Sequence, residues 1–512
     1  MSGAHLRGRD LSGEQRLTCE AVVVGTGAGG GMVARDLAAA GLDVVVLEMG
    51  PHLGPAGFTM REEEMLEALF QERGARATAD GEVRILQGCG VGGSTVHNTN
   101  LCKRTPEVIL DHWARDFAVR GCSARELEPA FAATEAELNV RPMGPAQLNR
   151  HNALFKEGVE ALGYAGGFLS HNRNDGCVGS GFCELGCPFD GKQNALKVLV
   201  PRAIELGARV YSEARVERVR TRAGRATGVQ GSFLAADGRT VTGSFVVDAK
   251  VVVLAGSAIG SAALHLASGL DDPSGQAGKN LRVHPGAVVA AVFDEEVRGW
   301  QGIPQVYECT ELLDLSPGST RRVWLLPGFA HPIGVATMIP GFGRTHADAM
   351  RDYARTAAVI ALVHDHSAGR VRMSGSRIRI DYAPDADDRA QLAVGLREGA
   401  RILLAAGARR VVVPYETDPL VIEDPARLAE IDARGAPEGS MALTAVHPMG
   451  TLRMGDDPTR AVVSSQGEHH AVKGLFVADG SLFPTSLGIP PQLSIFAFAR
   501  HLAPHVAAAA RA

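Results

Sequence analysis

The sequence predicts an α/β protein, an α+β composite. A Rossmann-like dinucleotide-binding domain, built from discontinuous segments, is expected to join an antiparallel-sheet substrate domain. Three observations carry this expectation. Ala21-Val-Val-Val-Gly-Thr-Gly-Ala-Gly-Gly-Gly31 is a β-branched run that ends in a Gly-x-Gly-x-x-Gly turn. Further buried-strand runs at 251–254 and 474–478 lie far from it in sequence. Between them, residues 290–440 change texture to alternating polar and apolar positions.

The elements come in order along the chain. Gly25 permits the tight turn, Gly27 the close approach of a pyrophosphate, and Gly30 close packing of helix on strand. A helical stretch at 32–40 stops at Gly41. The strand at 43–47 ends at Glu48, where a carboxylate would accept hydrogen bonds from ribose hydroxyls. The helix N-terminus offers free N–H groups to phosphate. A second glycine-rich run, 88–98, contains Gly92, Gly93, Ser94, His97 and Asn98. So much glycine costs folding entropy and suggests backbone pressed against a ligand. Residues 251–258 read as a strand entering a turn. Residues 370–381 read as a hairpin about Ser-Gly, and 385–407 as an amphipathic helix. Strand 474–478 leads to Asp479-Gly480. A helix then runs from about 492 to 502, with Pro504 marking its end.

Composition sets the class. The chain has 512 residues, 45% hydrophobic and 21% charged, enough to bury a large core and to exclude wholesale disorder. Lys plus Arg number 52 and Asp plus Glu 57, a net charge of −5, so nucleic acid is not an expected partner. The most basic run, Arg215, Arg218, Arg220, Arg222 and Arg225, is interrupted by Glu217 and reads as a solvated edge. Residues 1–20 are polar and carry no apolar leader core. The charge-free stretches 251–270 and 482–499 are broken by Gly, Ser or Pro, so no membrane span is expected and the expected location is the cytoplasm.

With these motifs in place, the whole chain resembles the glucose–methanol–choline (GMC) flavoprotein oxidoreductases. Four blocks match in order: the N-terminal fingerprint, 88–98, 256–269, and 446–451 followed by 479–480 and 488–495. In texture it is similar to bacterial long-chain alcohol oxidase-like members, through 177–193 and 364–372. The resemblance implies FAD. Gly25, Gly27, Gly30 and Glu48 would hold its ADP half, and Gly92, Gly93, Ser94 and Asn98 would line the flavin and pyrophosphate. Val216 would meet the adenine side, and Asp479 and Gly480 the ribityl–phosphate portion. FAD-binding segments are expected at 1–155, 201–290 and 441–512, a Cys-rich cap at 156–200, and a substrate-binding domain at 291–440.

The implied activity is that of an FAD-dependent alcohol oxidase or dehydrogenase. A CH–OH group of a small-molecule alcohol or other hydroxyl substrate becomes a carbonyl. Hydride passes to flavin N5 and then to oxygen or another electron acceptor. Such chemistry needs a group for the hydroxyl proton, and His447 lies in the block matching the family's histidine. It would act as base or as alkoxide stabiliser. His97 lies at the offset of a histidine that some members bond covalently to the flavin 8α carbon.

The chain also departs from the family pattern. The usual His or Asn partner is replaced by Pro490, which has neither a side-chain donor nor an N–H. Gln492 is the nearest amide. That departure keeps open a non-redox lyase of the same family or a flavin electron-carrying subunit.

Cys177, Cys183 and Cys187 are spaced to ligate iron–sulfur or zinc, or to remain free thiols in a glycine-rich loop. Flavin subunits of certain sugar dehydrogenases, which carry a three-iron cluster, resemble this segment. His284 is expected to be structural near the cofactor, and His364 and His366 to be solvent or core residues, with a place facing substrate as the alternative. Leu325, Leu326, Phe329, Met338 and Phe342 hint at a non-sugar pocket or form core, and are read here as core.

Overall fold

The computed structural model of the chain describes residues 3–328 and 330–512. Phe329 lies outside them. The first layer is a predominantly parallel sheet. Its strands run in the order Ala4–Arg7, Arg209–Ser212, Val44–Leu47, Gly13–Val24 and Val241–Leu254, and Leu475–Val477 pairs with the last of these. The far half of Val241–Leu254 continues antiparallel through Arg225–Leu234 to the edge strand Ala214–Arg222. The arginines of that edge are solvated, with Arg215 against Glu217 and Arg220 against Asp248.

Register brings the functional turns together. Leu47 pairs with Val24, Val24 with Leu254, and Leu254 with Val477. Four strands therefore stop on one rung, and the residues after each of them emerge at the same edge. The helix Ala28–Ala39 starts at Gly27, earlier than the sequence pattern indicates, and packs beneath the C-terminal helix Gln492–Arg511. That helix does not end at Pro504. Proline removes one intrahelical hydrogen bond, yet residue 504 is exposed and the helix continues to Arg511.

The second layer is a nine-stranded sheet. Its main path is antiparallel: Leu420–Ile422, Arg410–Val413, Gly286–Val292, Thr356–Val363, Val323–Gly328, Tyr307–Cys309 and Gly166–Phe168. The strand Leu443–Ala445 joins at Gly286 and pairs in parallel with Val83–Ile85. The hairpin Gly369–Ser374 and Arg377–Asp381 forms where the alternation predicts it. It belongs to a separate three-stranded sheet with Lys279–Leu281.

The helix Ala386–Ala405 covers the nine-stranded sheet, capped by Asp385, whose side chain accepts from the Asp388 N–H at 2.9 Å. It lies very close, because Gly395 and Gly399 face the strands. A Cβ at Gly395 would stand 2.5 Å from that of Ala361. On its other side, the helix Arg150–Ala161 crosses at Gly158, where a Cβ would meet the Ile402 carbonyl oxygen at 2.1 Å. Gly158→Ala is therefore expected to destabilise the fold by ~1–3 kcal/mol through forced backbone movement. Its melting temperature should fall clearly below that of Gly54→Ala, whose site is open; equal melting temperatures would contradict the packing.

Candidate active site

A cavity of about 660 Å³ opens where the four strands end and runs up to the nine-stranded sheet. Its floor is made of the two glycine-rich turns. Gly25 adopts φ +101°, and a Cβ there would strike the Ala255 carbonyl at 2.4 Å. Gly30 lies as close to the Gly25 carbonyl, which is the tight helix–strand packing that the fingerprint predicts. Gly27 differs. A Cβ there would meet no protein atom nearer than Gly93 Cα at 3.9 Å, so it would project into the cavity. Gly92 and Gly93 both have positive φ, +96° and +51°. They bring the second turn down onto the first.

Thr26, between the first two glycines, ties these parts together. Its buried hydroxyl donates to Glu48 Oε2 at 2.7 Å and accepts from the Gly92 N–H at 3.0 Å. The Thr26 and Gly50 amides also donate to the Glu48 carboxylate. Burial raises the Glu48 pKa, and these donors oppose the shift. The Gly90 N–H adds a further donor, so four protein donors hold the Glu48 carboxylate on the cavity wall. Asp479 is built similarly: Ser261 Oγ donates to Oδ2 at 2.6 Å and the Ser481 N–H to Oδ1 at 2.8 Å. Gly480, Val216, Ser94, His97 and Asn98 all line the same cavity.

The loop bearing His97 is held from below by a residue that the sequence pattern does not single out. Lys192, buried, donates to the carbonyls of Val96, Asn98 and Cys183 at 2.9, 2.5 and 2.7 Å. Three carbonyls replace its water shell, although burial still lowers its pKa. A lone lysine in the Cys-rich stretch carries no signal of this. Gln492 lines the cavity, with its side-chain amide engaged by protein. It accepts from Asn98 Nδ2 at 2.6 Å and donates to the Leu101 carbonyl at 2.9 Å. It therefore props up the loop and does not stand in for the amide missing at Pro490.

His97 stacks on Phe70 with ring centroids 4.2 Å apart, and its buried Nε2 has no hydrogen-bond partner. Such an orphaned atom on a cavity wall is what a bound group would satisfy. Burial and the Lys192 ammonium push its pKa down to about 3. His447 stands on the same cavity beside Pro490 and Pro491. It is partly accessible through the opening yet enclosed by protein, and burial lowers its pKa to about 3. Its Nδ1 lies 3.1 Å from His284 Nδ1. His284, expected only to be structural, is therefore the direct neighbour of the candidate catalytic ring. His364 is buried behind it, and His366 is exposed.

Two expectations need correction. Cys177, Cys183 and Cys187 do not form a metal-binding group. Among the described residues no set of three or more His, Cys, Asp or Glu side chains converges on a metal-sized point. Burial pushes the Cys183 thiol up to about 12, and Gly191 packs on the Cys177 backbone. The apolar set also splits. Leu325 is core and Leu326 is buried on the cavity wall. Met338 lines the cavity, and Phe342 is 91% exposed. Among the described residues no helix is long and apolar enough to cross a membrane.

Comparison with known proteins bears on the whole chain. Residues 66–286 and 365–499 match two family models, both described as GMC oxidoreductase, and 23–95 match a NAD(P)-binding Rossmann-like domain. An uncharacterised GMC-type oxidoreductase of Mycobacterium tuberculosis is 34% identical over 94% of this chain and 74% of its own. A long-chain-alcohol oxidase of Arabidopsis thaliana is 29% identical over 96% of this chain and 68% of its own. Pyridoxine 4-oxidase from Mesorbium loti superposes with a TM-score of 0.71 at 18% identity, over 95% of this chain and 99% of that one.

The neutral histidines set an acid limit. Folded His97, His364 and His447 bind a proton only near pH 3, whereas the unfolded rings bind one below about 6.5. The unfolded state therefore takes up protons first, and stability falls as pH drops from about 6.5 towards 3. Each ring should cost about 1.4 kcal/mol at pH 5.5. Melting temperatures at pH 7.5 and 5.5 check this, and equal values would contradict it.

Proposed function

This chain belongs to the GMC oxidoreductase family, and on that premise we propose that it oxidises the CH–OH group of an apolar alcohol to a carbonyl with FAD as hydride acceptor. One observation carries the reading. A neutral, enclosed His447 shares one cavity with the two glycine-rich turns, the Glu48 carboxylate and the orphaned Nε2 of His97. These residues fit the cofactor. Gly25, Gly27, Gly30 and Glu48 would hold the ADP half. Gly92, Gly93, Ser94, His97 and Asn98 would hold the flavin side, with Val216 at the adenine, and Asp479 and Gly480 at the ribityl–phosphate portion. When bound, FAD supplies the acceptor for the hydride leaving the carbinol carbon at N5.

The remaining work falls to the chain. His447 meets the substrate hydroxyl, as base or as alkoxide stabiliser. Pro490 contributes shape and no hydrogen bond. The wall above is apolar: Leu101, Trp324, Leu326, Ile360 and Leu362 form one buried cluster that lines the cavity. The indole N–H of Trp324 is occupied by Glu308 Oε2 at 2.7 Å, so it offers the cavity no donor. Such a wall favours an alkyl or aryl chain over a sugar. Oxygen or another acceptor would complete the cycle.

Anaerobic mixing with aliphatic and aromatic alcohols should bleach the flavin, whereas sugars should not. His447→Ala should slow that bleaching by ~10²-fold or more, and an unchanged rate would remove His447 from the chemistry. His97 is addressed separately. A covalent link would leave the yellow colour with acid-precipitated wild-type protein and release it to the supernatant for His97→Ala. A non-covalent contact would release it in both.

A further inference from the structure

The hydrogen bonds behind His447 run in one direction only. The Gly488 N–H lies 2.9 Å from His284 Nε2. A backbone amide can only donate, so this nitrogen is bare and the neutral His284 ring carries its hydrogen on Nδ1. Nδ1 in turn lies 3.1 Å from His447 Nδ1, across rings at 85°. It donates there. His447 Nδ1 is consequently bare, and the ring's hydrogen sits on Nε2, which has no partner among the described residues. We propose that His284 is a positioning residue that fixes His447 as its Nε2–H tautomer, so that His447 meets the substrate oxygen as a neutral hydrogen-bond donor. The inference rests on the alcohol-oxidation reading for the identity of that oxygen, but not for the tautomer.

The local backbone is built to hold this chain of bonds. His284 is buried with φ +51°, a left-handed conformation that a histidine adopts at a cost. Asp365 holds it there by accepting from the Val283 and His284 amides at 2.9 and 3.4 Å. Gly488 has φ +69°, and a Cβ there would meet Leu315 Cδ2 at 2.2 Å. Its amide is therefore aimed by a turn that only glycine fits. The groups facing His284 are His447 and His364. Behind His364 stand His366, Arg282 and Arg322, which oppose a positive charge.

Reversing the chain would be costly. For His447 to accept a proton at Nε2, its Nδ1 would have to carry the hydrogen. His284 Nε2–H would then face the Gly488 N–H, two buried donors without an acceptor. The hydroxyl proton passes instead to solvent hydroxide, forming water. The alkoxide oxygen accepts from His447 Nε2–H, and the hydride leaves carbon with both electrons of the C–H bond as the C=O forms. A neutral imidazole donor of this kind needs no proton of its own to be exchanged.

Nitrogen-15 NMR of histidine-labelled protein tests the tautomer without substrate. His447→Asn and His284→Asn assign the signals, and His284→Gln serves where His284→Asn does not fold. Wild-type His447 should show a pyrrole-like Nε2 and a pyridine-like Nδ1, unchanged between pH 5.5 and 8.5, with the reverse for His284. A pyridine-like Nε2 on His447, or its titration in that range, overturns the proposal. In the same range, alcohol-driven flavin reduction should rise about tenfold per pH unit without a histidine inflection, and His284→Asn should introduce one. An inflection already present in the wild type overturns the donor role. An intact tautomer in a protein whose flavin no alcohol reduces overturns the donor role together with the alcohol reading, while the ring geometry stands.

Discussion

One rung of the parallel sheet, Leu47–Val24–Leu254–Val477, is the constraint on which the rest depends. Backbone hydrogen bonding fixes that register over four strands drawn from three distant parts of the chain. Each strand then delivers its next residues to the same edge: Glu48, the turn at Gly25–Gly27, the turn before the helix Ser257–Ala267, and Asp479. A slip of one residue in any strand would exchange its side chains between the two buried faces of the sheet and carry its functional turn away from the others. The apolar interior of the sheet and the polar cradle at its edge are thus two results of one alignment.

Above that edge, the site works through neutrality. The rings of His97, His284, His364 and His447 are held uncharged by burial, and the buried carboxylates are surrounded by donors. Charge is kept one layer back. The Lys192 ammonium answers three carbonyls, and the buried Arg322–Asp388 pair, 2.7 Å apart, joins the covering helix to the loop carrying His364 and Asp365. Asp388 also accepts from the His366 and Ser367 amides. Buried pairs of this kind contribute little net stability but penalise alternative arrangements. Here they fix the loop from which Asp365 holds the backbone of His284 in its left-handed turn.

The sequence disclosed what is local. The glycine fingerprint, the strand ending at Glu48, the hairpin about Gly375 and the helix beginning after Asp385 each depend on neighbours a few residues away. What escaped depends on distant partners. Nothing near Lys192 indicates that its head reaches three carbonyls of other loops, and nothing near His284 indicates that it receives the Gly488 amide. The cysteines misled because spacing describes a ligand set only when the loop folds around a point, and this loop packs glycine against Cys177 instead. Pro504 misled because packing of the helix on both sides of it, from Phe496 to Ala510, outweighs the one hydrogen bond that proline removes.

The same rung bears on biosynthesis. A chain emerging from the ribosome has made the strand Gly13–Val24 long before Leu475–Val477 exists, and the helix Gln492–Arg511 that packs on Ala28–Ala39 comes later still. Contacts so far apart in sequence close slowly. The nascent N-terminal half therefore carries its glycine fingerprint before Leu475–Val477, which completes the rung beside Leu254, has been made.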